Sequence, residues 1–181
     1  MAQTTRYTVV GAGHGGKSMA AHLALMGKEV TLYNRTFSHI EVISKRKGIE
    51  LESYPDGPRG FAPIRMTTSD MKEALNDAQV IMLVLPSSAH ADLAKLMAPH
   101  LKDGQVILLN PGRTCGAIEF DMVCRREGCK AKYILAEAET FIYAARSDGP
   151  AQARIFRIKE AVPLAALPAT DTPKVLEAIG D

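Results

Sequence analysis

Short apolar runs alternate along the chain with longer segments in which apolar residues recur every three or four positions. Several runs are apolar at consecutive positions, which is typical of strands covered on both faces, and the segments between them have the period of helices. The predicted strands occupy residues 7–10, 30–33, 80–85, 106–109 and 133–136. Strands and helices in alternation build a mainly parallel sheet. The sequence therefore predicts an α/β fold with a doubly wound, mainly parallel sheet.

The pattern changes in two places. Residues 48–67 contain three Pro and three Gly, which predicts small strands or loops instead of a helical crossover. Residues 141–146 and 154–159 are predicted as two strands joined by a turn at 148–150, and Thr172 opens a last short helix. The parallel sheet is thus expected to carry a short antiparallel C-terminal extension, from about residue 141 to residue 181.

Composition and charge exclude several classes of protein. The 181 residues are 46% hydrophobic and 23% charged with a net charge of +2, which indicates one globular domain spanning residues 1–181 and argues against disorder. The 22 basic and 20 acidic residues lack the basic excess of nucleic-acid-binding domains. Three cysteines at positions 115, 124 and 129 match no disulfide framework or zinc-ligand spacing, so no metal is expected. The N-terminus fits neither a signal peptide nor a transmembrane span, and a cytoplasmic location is expected.

A glycine-rich turn directly follows the first predicted strand. Its sequence, Gly11-Ala12-Gly13-His14-Gly15-Gly16, fits G-x-G-x-x-G and is followed by a helix and a second strand. In Rossmann-type sites the first glycine permits the turn, the second lets the backbone approach a pyrophosphate, and the third allows close helix packing. The helix N-terminus offers free N–H groups to the phosphates. We therefore predict a Rossmann-type dinucleotide site with contacts at Gly11, Gly13, His14, Gly15 and Gly16, the alternative being a turn with surplus glycines.

The residues after the second strand indicate which dinucleotide is bound. A free ribose 2′-OH is normally held by Asp or Glu at this position, and the chain has Asn34-Arg35-Thr36 instead. A guanidinium suits a 2′-phosphate, which a carboxylate would repel. Asn34, Arg35 and Thr36 therefore favour NADP over NAD. The alternative is that Arg35 only lines the adenine or faces solvent.

Other candidate contacts follow the next two strands, because ligands of open α/β sheets bind at the carboxyl ends of the strands. Leu85 and Pro86 stand at the carboxyl end of the third predicted strand and Asn110 follows the fourth, where they are expected to line the ribose and nicotinamide end of the groove. An equally simple interpretation gives Pro86 and Asn110 ordinary turn roles. His90, one helical turn beyond Pro86, is a further candidate for contact with cofactor or substrate.

Several segments together resemble the octopine and nopaline dehydrogenases, the opine dehydrogenase family. The resemblance is carried by the glycine turn, by Val84-Leu85-Pro86 and above all by residues 109–120, which read Leu-Asn-Pro-Gly-Arg-Thr-Cys-Gly-Ala-Ile-Glu-Phe. Residues 138–140 and 166–169 are similar as well. The resemblance covers essentially the whole chain.

Members of that family reductively condense an amino acid with a 2-oxo acid, and a nicotinamide hydride reduces the imine. The resemblance implies that this chain is the cofactor-binding half of such an oxidoreductase. The family's proton-transferring His and carboxylate belong to a helical second domain that is absent from residues 1–181, so no catalytic residue is carried over. The implied partners are the dinucleotide and, through the second domain, the two substrates, without nucleic acid or membrane. Association as a homodimer stays open.

Two other functions also stay open. Ketopantoate reductases and related 2-hydroxy-acid dehydrogenases share the glycine turn and an Arg after the second strand, although residues 110–120 argue against them. A non-catalytic module that senses the NADP(H) level and reports it to a partner would need the same cofactor site. In the first alternative the protein catalyses a different reaction, and in the second it catalyses none.

Overall fold

The computed structural model describes residues 5–54 and 57–180, and it shows an α/β fold built on a seven-stranded sheet. The main sheet has the order β11-β8-β7-β6-β1-β2-β5, and every neighbouring pair is parallel except β8 with β11. The predicted doubly wound, mainly parallel sheet is confirmed. In chain order the strands are β1 (Arg6–Val10), β2 (Glu29–Tyr33), β3 (Gly48–Ser53), β4 (Gly60–Pro63), β5 (Met66–Thr68), β6 (Val80–Leu83), β7 (Val106–Leu109), β8 (Ile134–Ala138), β9 (Tyr143–Gly149), β10 (Gln152–Ile158) and β11 (Leu164–Leu167).

Two apolar cores lie on the two faces of the main sheet. Val9 and Leu32 face one core, with the helices of residues 14–25 and 172–179. Val10 and Leu83 face the other core, with the helices of residues 71–75, 90–97 and 116–126. Neighbouring strand positions are therefore both buried, which explains the consecutive apolar residues in the sequence. The helices are α1 (His14–Leu25), α2 (Glu41–Arg46), α3 (Met71–Leu75), α4 (His90–Met97), α5 (Gly116–Arg126) and α6 (Thr172–Ile179).

A second, four-stranded sheet of order β4-β3-β10-β9 covers α1. Strand β3 pairs antiparallel with β4 and parallel with β10, and β10 pairs antiparallel with β9. Helix α1 is thus packed between two sheets, and its Met19, Ala20, Ala21 and Ala24 are buried. Because three of these side chains are alanines, the helix lies close to both sheets.

The C-terminal third is arranged differently from the prediction, whereas segment 48–67 forms small strands as predicted. The two strands expected near residues 141–159 exist as β9 and β10, but they join β3 and β4 in the second sheet instead of extending the main one. The antiparallel strand of the main sheet is β11, which the sequence analysis missed. Segment 48–67 supplies β3, β4 and β5, and β5 pairs with β2 in the main sheet. Residues 1–4, on which the expectation about a signal peptide partly rests, lie outside the described residues.

The order of the main sheet reverses at β1. Strand β2 lies on one side of β1 and β6 on the other, and the intervening helices α1 and α3 lie on opposite faces. The carboxyl ends of strands at such a reversal border the crevice in which α/β proteins bind ligands. The fold thus places the ends of β1, β2 and β6 together, and these are the positions that the sequence motifs occupy.

Within residues 5–54 and 57–180, no helix combines the length and the apolar sequence that spanning a bilayer requires. Within the same ranges, no group of three or more His, Cys, Asp or Glu side chains is arranged to hold a metal ion.

Candidate cofactor-binding site

The glycine turn (residues 11–16) joins β1 to α1 in a conformation that requires glycine at two positions. Gly11 has a φ of +108°, and a Cβ there would lie 2.6 Å from the Val84 carbonyl oxygen. A Cβ on Gly16 would lie 1.7 Å from the Gly11 carbonyl oxygen, so the first turn of the helix can rest on the preceding loop only without a side chain. Because Gly16 has no side chain, α1 packs directly against the glycine turn.

The mouth of α1 is open. A Cβ on Gly13, the residue before the helix, would meet no atom of the residues that the structure describes within 4 Å. Gly13 supplies no side-chain cap, and the first turn contains no acidic residue. The first N–H groups of a helix have no partner within the helix, and the helix dipole places partial positive charge beside them. This end of α1 can therefore accept an anion such as a pyrophosphate.

Asn34 connects the end of β2 to the glycine turn. Its Oδ1 accepts a hydrogen bond from the Ala12 N–H at 3.1 Å, and its Nδ2 donates to the Thr36 carbonyl oxygen at 2.9 Å. The Gly11 N–H also donates to the Tyr33 carbonyl oxygen at 2.9 Å. The carboxamide of Asn34 therefore holds the turn in place.

A cavity of about 240 Å³ opens beside the turn, between the ends of β1 and β2 and the helix α4. Arg35 is exposed at this cavity and forms no ion pair with the described part of the chain. Burial raises the pKa of the neighbouring Tyr33 phenol, and the Arg35 guanidinium opposes that effect. The cavity is lined by Val10, Gly11, Tyr33, Asn34, Arg35, Thr36, His39, Leu85, Ala89, Asp92, Leu93 and Leu96.

The structure brings together Gly11, Asn34, Arg35, Thr36 and Leu85 from the residues singled out in the sequence. The remaining turn residues lie at the mouth of α1. The sequence did not single out His39 and Asp92, which also line the cavity. The same holds for Ala89, Leu93 and Leu96. Positions 89, 93 and 96 share one face of a helical turn, and that spacing alone does not distinguish a face turned to the core from one turned to a ligand.

His14 is the first residue of α1 and is exposed. Its Nδ1 accepts a hydrogen bond from the Ser147 N–H of β9 at 2.8 Å. The second sheet therefore contacts the glycine turn at this ring.

Pro86 and Asn110 follow β6 and β7, farther along the same edge of the sheet. Pro86 precedes a short 3₁₀ turn, and it does not line the cavity. Asn110 is 6% exposed, and its Nδ2 donates to the Leu108 carbonyl oxygen at 3.0 Å and lies 3.6 Å from the Met82 Sδ. The Asn110 carboxamide thus bonds inside the sheet, and contact with the nicotinamide end stays a prediction.

His90, considered above as a contact of cofactor or substrate, lies in the interior. It is 0% exposed, and neither ring nitrogen has a hydrogen-bond partner among the described residues. Burial lowers its pKa, and the carboxylates of Glu119 and Glu137 act in the opposite direction. Glu137 itself accepts a hydrogen bond from the Ala117 N–H at the start of α5, at 2.8 Å. His90 is therefore part of the packing between α4 and α5.

Comparison with known proteins agrees with this geometry. The family model of the NAD-dependent glycerol-3-phosphate dehydrogenase N-terminus matches residues 6–111. An opine dehydrogenase from Arthrobacter sp. (strain 1C) is 37% identical over 180 residues, which are 99% of this chain and 49% of that protein. The chain thus spans about half the length of this curated relative. The resemblance to opine dehydrogenases noted in the motifs is confirmed.

Solved structures share the fold. An octopine dehydrogenase described with NADH and L-arginine superposes with a TM-score of 0.82 at 18% identity, covering 98% of this chain and 47% of that one. A yersinopine dehydrogenase with NADP⁺ bound superposes with a TM-score of 0.76 at 15% identity, covering 98% and 46%. A ketopantoate reductase from Ralstonia eutropha JMP134 reaches 0.68 at 19% identity, covering 97% and 54%.

These matches agree with the glycine turn, the open helix mouth and the strand order in pointing to a dinucleotide-binding domain of a dehydrogenase. The chain belongs to the family of the NAD-dependent glycerol-3-phosphate dehydrogenase N-terminus, as an NAD(P)-binding Rossmann-type domain that resembles the opine dehydrogenases over its whole length.

Proposed function

We propose that this chain binds NADP at the carboxyl ends of β1, β2 and β6, as the cofactor-binding half of an opine-dehydrogenase-like oxidoreductase. The observation that supports NADP most directly is the exposed Arg35, which has no ion-pair partner among the described residues and lies at the cavity beside the glycine turn. No Asp or Glu stands among residues 34–36. A guanidinium binds phosphate oxygens through two parallel hydrogen bonds, whereas a carboxylate here would repel a 2′-phosphate.

Two regions of the site bind different parts of the cofactor. The open mouth of α1, with the N–H groups of residues 14–16, binds the pyrophosphate, because these donors have no partner within the helix. The cavity beside it holds the adenosine, with Leu85 on an apolar wall and Arg35 and Thr36 on the side of the 2′-phosphate. Pro86 and Asn110 line the path toward the nicotinamide, along the ends of β6 and β7.

The bound nicotinamide would supply the hydride for the reaction. The residues of this chain bind and orient the cofactor. The substrates, an amino acid and a 2-oxo acid, and the groups that move protons are assigned to a second domain. Two facts support this division: the 37% identity to an opine dehydrogenase and the coverage of about half of that protein.

The cofactor preference is tested by titrating the chain with NADPH and NADH. We expect tighter binding of NADPH. Arg35→Ala should weaken NADPH binding about 10- to 100-fold, the range for a lost hydrogen bond to a charged group, and change NADH binding little. Arg126→Ala, at an exposed position on α5 outside the cavity, is the matched control. Equal affinities for the two cofactors, or an unchanged NADPH affinity in Arg35→Ala, would contradict the 2′-phosphate site.

A ketopantoate-reductase-type reaction is the second candidate, since such an enzyme shares the fold at a TM-score of 0.68. The two candidates differ in substrate requirement. An opine-type oxidoreductase containing this chain would oxidise NADPH only when an amino acid and a 2-oxo acid are both present. Oxidation with a 2-oxo acid alone would favour the second candidate.

A further inference from the structure

The C-terminal part of β9 contacts the glycine turn through one backbone amide. The Ser147 N–H donates to His14 Nδ1 at 2.8 Å. A neutral imidazole has one nitrogen that donates and one that accepts. Because Nδ1 accepts, the ring proton must lie on Nε2 when the ring is neutral, so the second sheet determines which tautomer His14 adopts.

Ser147 is itself held from both sides. Its Oγ lies 2.8 Å from the Gly149 carbonyl oxygen and 3.0 Å from the Gln152 carbonyl oxygen, across the turn between the strands. Lys17, from the second turn of α1, donates through Nζ to Ser147 Oγ at 3.0 Å and to the Gly149 carbonyl oxygen at 3.2 Å. Lys17 is only 8% exposed, and its burial lowers its pKa. The position of the Ser147 N–H is thus fixed relative to α1.

The other side of the His14 ring is free. The residue is exposed, and Nε2 has no hydrogen-bond partner among the residues that the structure describes. Gly13, its neighbour, borders open space, and the uncapped N–H groups of the first turn of α1 begin at the same residue. An N–H on this ring would therefore add a side-chain donor to a set of backbone donors.

We infer that the Ser147 amide holds His14 in the tautomer in which Nε2–H donates a hydrogen bond to the pyrophosphate of the dinucleotide. His14 is then a binding residue, and the C-terminal part of β9 is a positioning element of the cofactor site. The inference rests on the proposed function. It goes beyond it by assigning a role in cofactor binding to the second sheet.

Two substitutions at His14 test the contributions of Nδ1 and Nε2 separately. Asn places an acceptor near the position of Nδ1, so His14→Asn can keep the bond from Ser147 but has no donor at the position of Nε2. Gln places an amide donor near Nε2. We expect His14→Asn to weaken binding of both NADPH and NADH about tenfold or more, and His14→Gln to recover a large part of that loss.

A ligand without a pyrophosphate provides the specificity control. Adenosine 2′-monophosphate can occupy the cavity at Arg35 but cannot reach the mouth of α1, so its affinity should be the same for the wild type and both His14 variants. Unchanged dinucleotide affinity in His14→Asn, or equal losses in the Asn and Gln variants, would overturn the inference. A folded wild-type chain that binds neither dinucleotide nor adenosine 2′-monophosphate would instead overturn the proposed function.

The role of Ser147 is tested separately. Ser147→Ala keeps the backbone N–H but loses the Oγ contacts that fix its position. It should therefore lower NADPH affinity less than Ser147→Pro, which removes the donor itself. Combined with His14→Asn, Ser147→Pro should add little, because both changes break one chain of contacts. Additive losses would contradict the coupling. If Ser147→Pro fails to fold, the ring ¹⁵N spectrum of His14 in the full chain decides, since a proton on Nδ1 at a pH where the ring is neutral would overturn the inference.

Discussion

Two histidines of this protein, His14 and His90, have opposite environments. His14 is exposed and accepts a hydrogen bond from Ser147, whereas His90 is fully buried without a partner for either nitrogen among the described residues. The exposed ring is available to a ligand. The buried ring contributes to the pH dependence of stability instead.

Stability should decrease in mild acid because of His90. Burial lowers its pKa in the folded state, so the unfolded chain binds a proton at pH values where the folded chain does not. The free energy of unfolding is therefore expected to fall as the pH drops through the unfolded value of about 6.5. His22, whose pKa burial also lowers, contributes in the same direction.

The measurement is urea unfolding at pH values of about 7.5 and 5.5. We expect His90→Gln to lose less stability between these values than the wild type does. His39→Gln, at an exposed position, is the control. An identical pH dependence in His90→Gln and in the wild type would show that His90 does not titrate as described.

Residue identities predicted the region of the site but not the direction of each side chain. Arg35 lies at the cavity as the missing carboxylate suggested, but Asn34 bonds to Ala12 and Asn110 bonds inside the sheet. A carboxamide can donate and accept in many directions, and its partners are set by neighbouring strands. Sequence position alone therefore cannot distinguish an asparagine that binds a ligand from one that supports a turn.

Among the secondary-structure elements, helix α5 begins with a cap that a strand, β8, supplies. Cys115, the residue before the helix, provides no side-chain cap, and Glu137 of β8 instead accepts the Ala117 N–H through Oε2 at 2.8 Å. A carboxylate at a helix N-terminus is also favoured by the helix dipole. The bond fixes the start of α5 against the end of β8.

We predict that Glu137→Ala lowers the free energy of unfolding by about 1 kcal/mol, the usual cost of losing an N-terminal cap. Glu139→Ala, two residues away and exposed, should change it by less than about 0.5 kcal/mol. Both values are obtained from denaturant unfolding at neutral pH. Equal effects of the two substitutions would show that the bond to α5 does not stabilise the fold.

The strands of the main sheet could be predicted because their pattern is local. Five apolar runs appear as β1, β2, β6, β7 and β8. The second sheet could not be predicted, because β3 and β10 pair across about a hundred residues and periodicity carries no information about such partners. Strand β11 was missed because two of its four residues are alanines, which are depleted in strands. Helix α3 was missed because its five residues span little more than one helical turn, which is too short for the period to repeat.

In the whole molecule, α1 lies between two sheets. The main sheet lies on one side of the helix and the second sheet on the other, and the helix mouth opens at the carboxyl ends of β1, β2 and β6. Because the helix is fixed from both sides, its N-terminal donors are positioned before any ligand arrives. The architecture therefore favours a preformed anion site.

The most direct test of this account is a titration of the wild type and of Gly13→Leu with NADPH. A Cβ at position 13 would meet no atom of the described residues within 4 Å, so the variant is expected to fold with nearly unchanged stability, which thermal unfolding verifies. The added side chain would fill the space in front of the α1 mouth. We predict that the wild type binds NADPH and that folded Gly13→Leu does not. Equal binding by both proteins would place the dinucleotide elsewhere and contradict a pyrophosphate site at the mouth of α1.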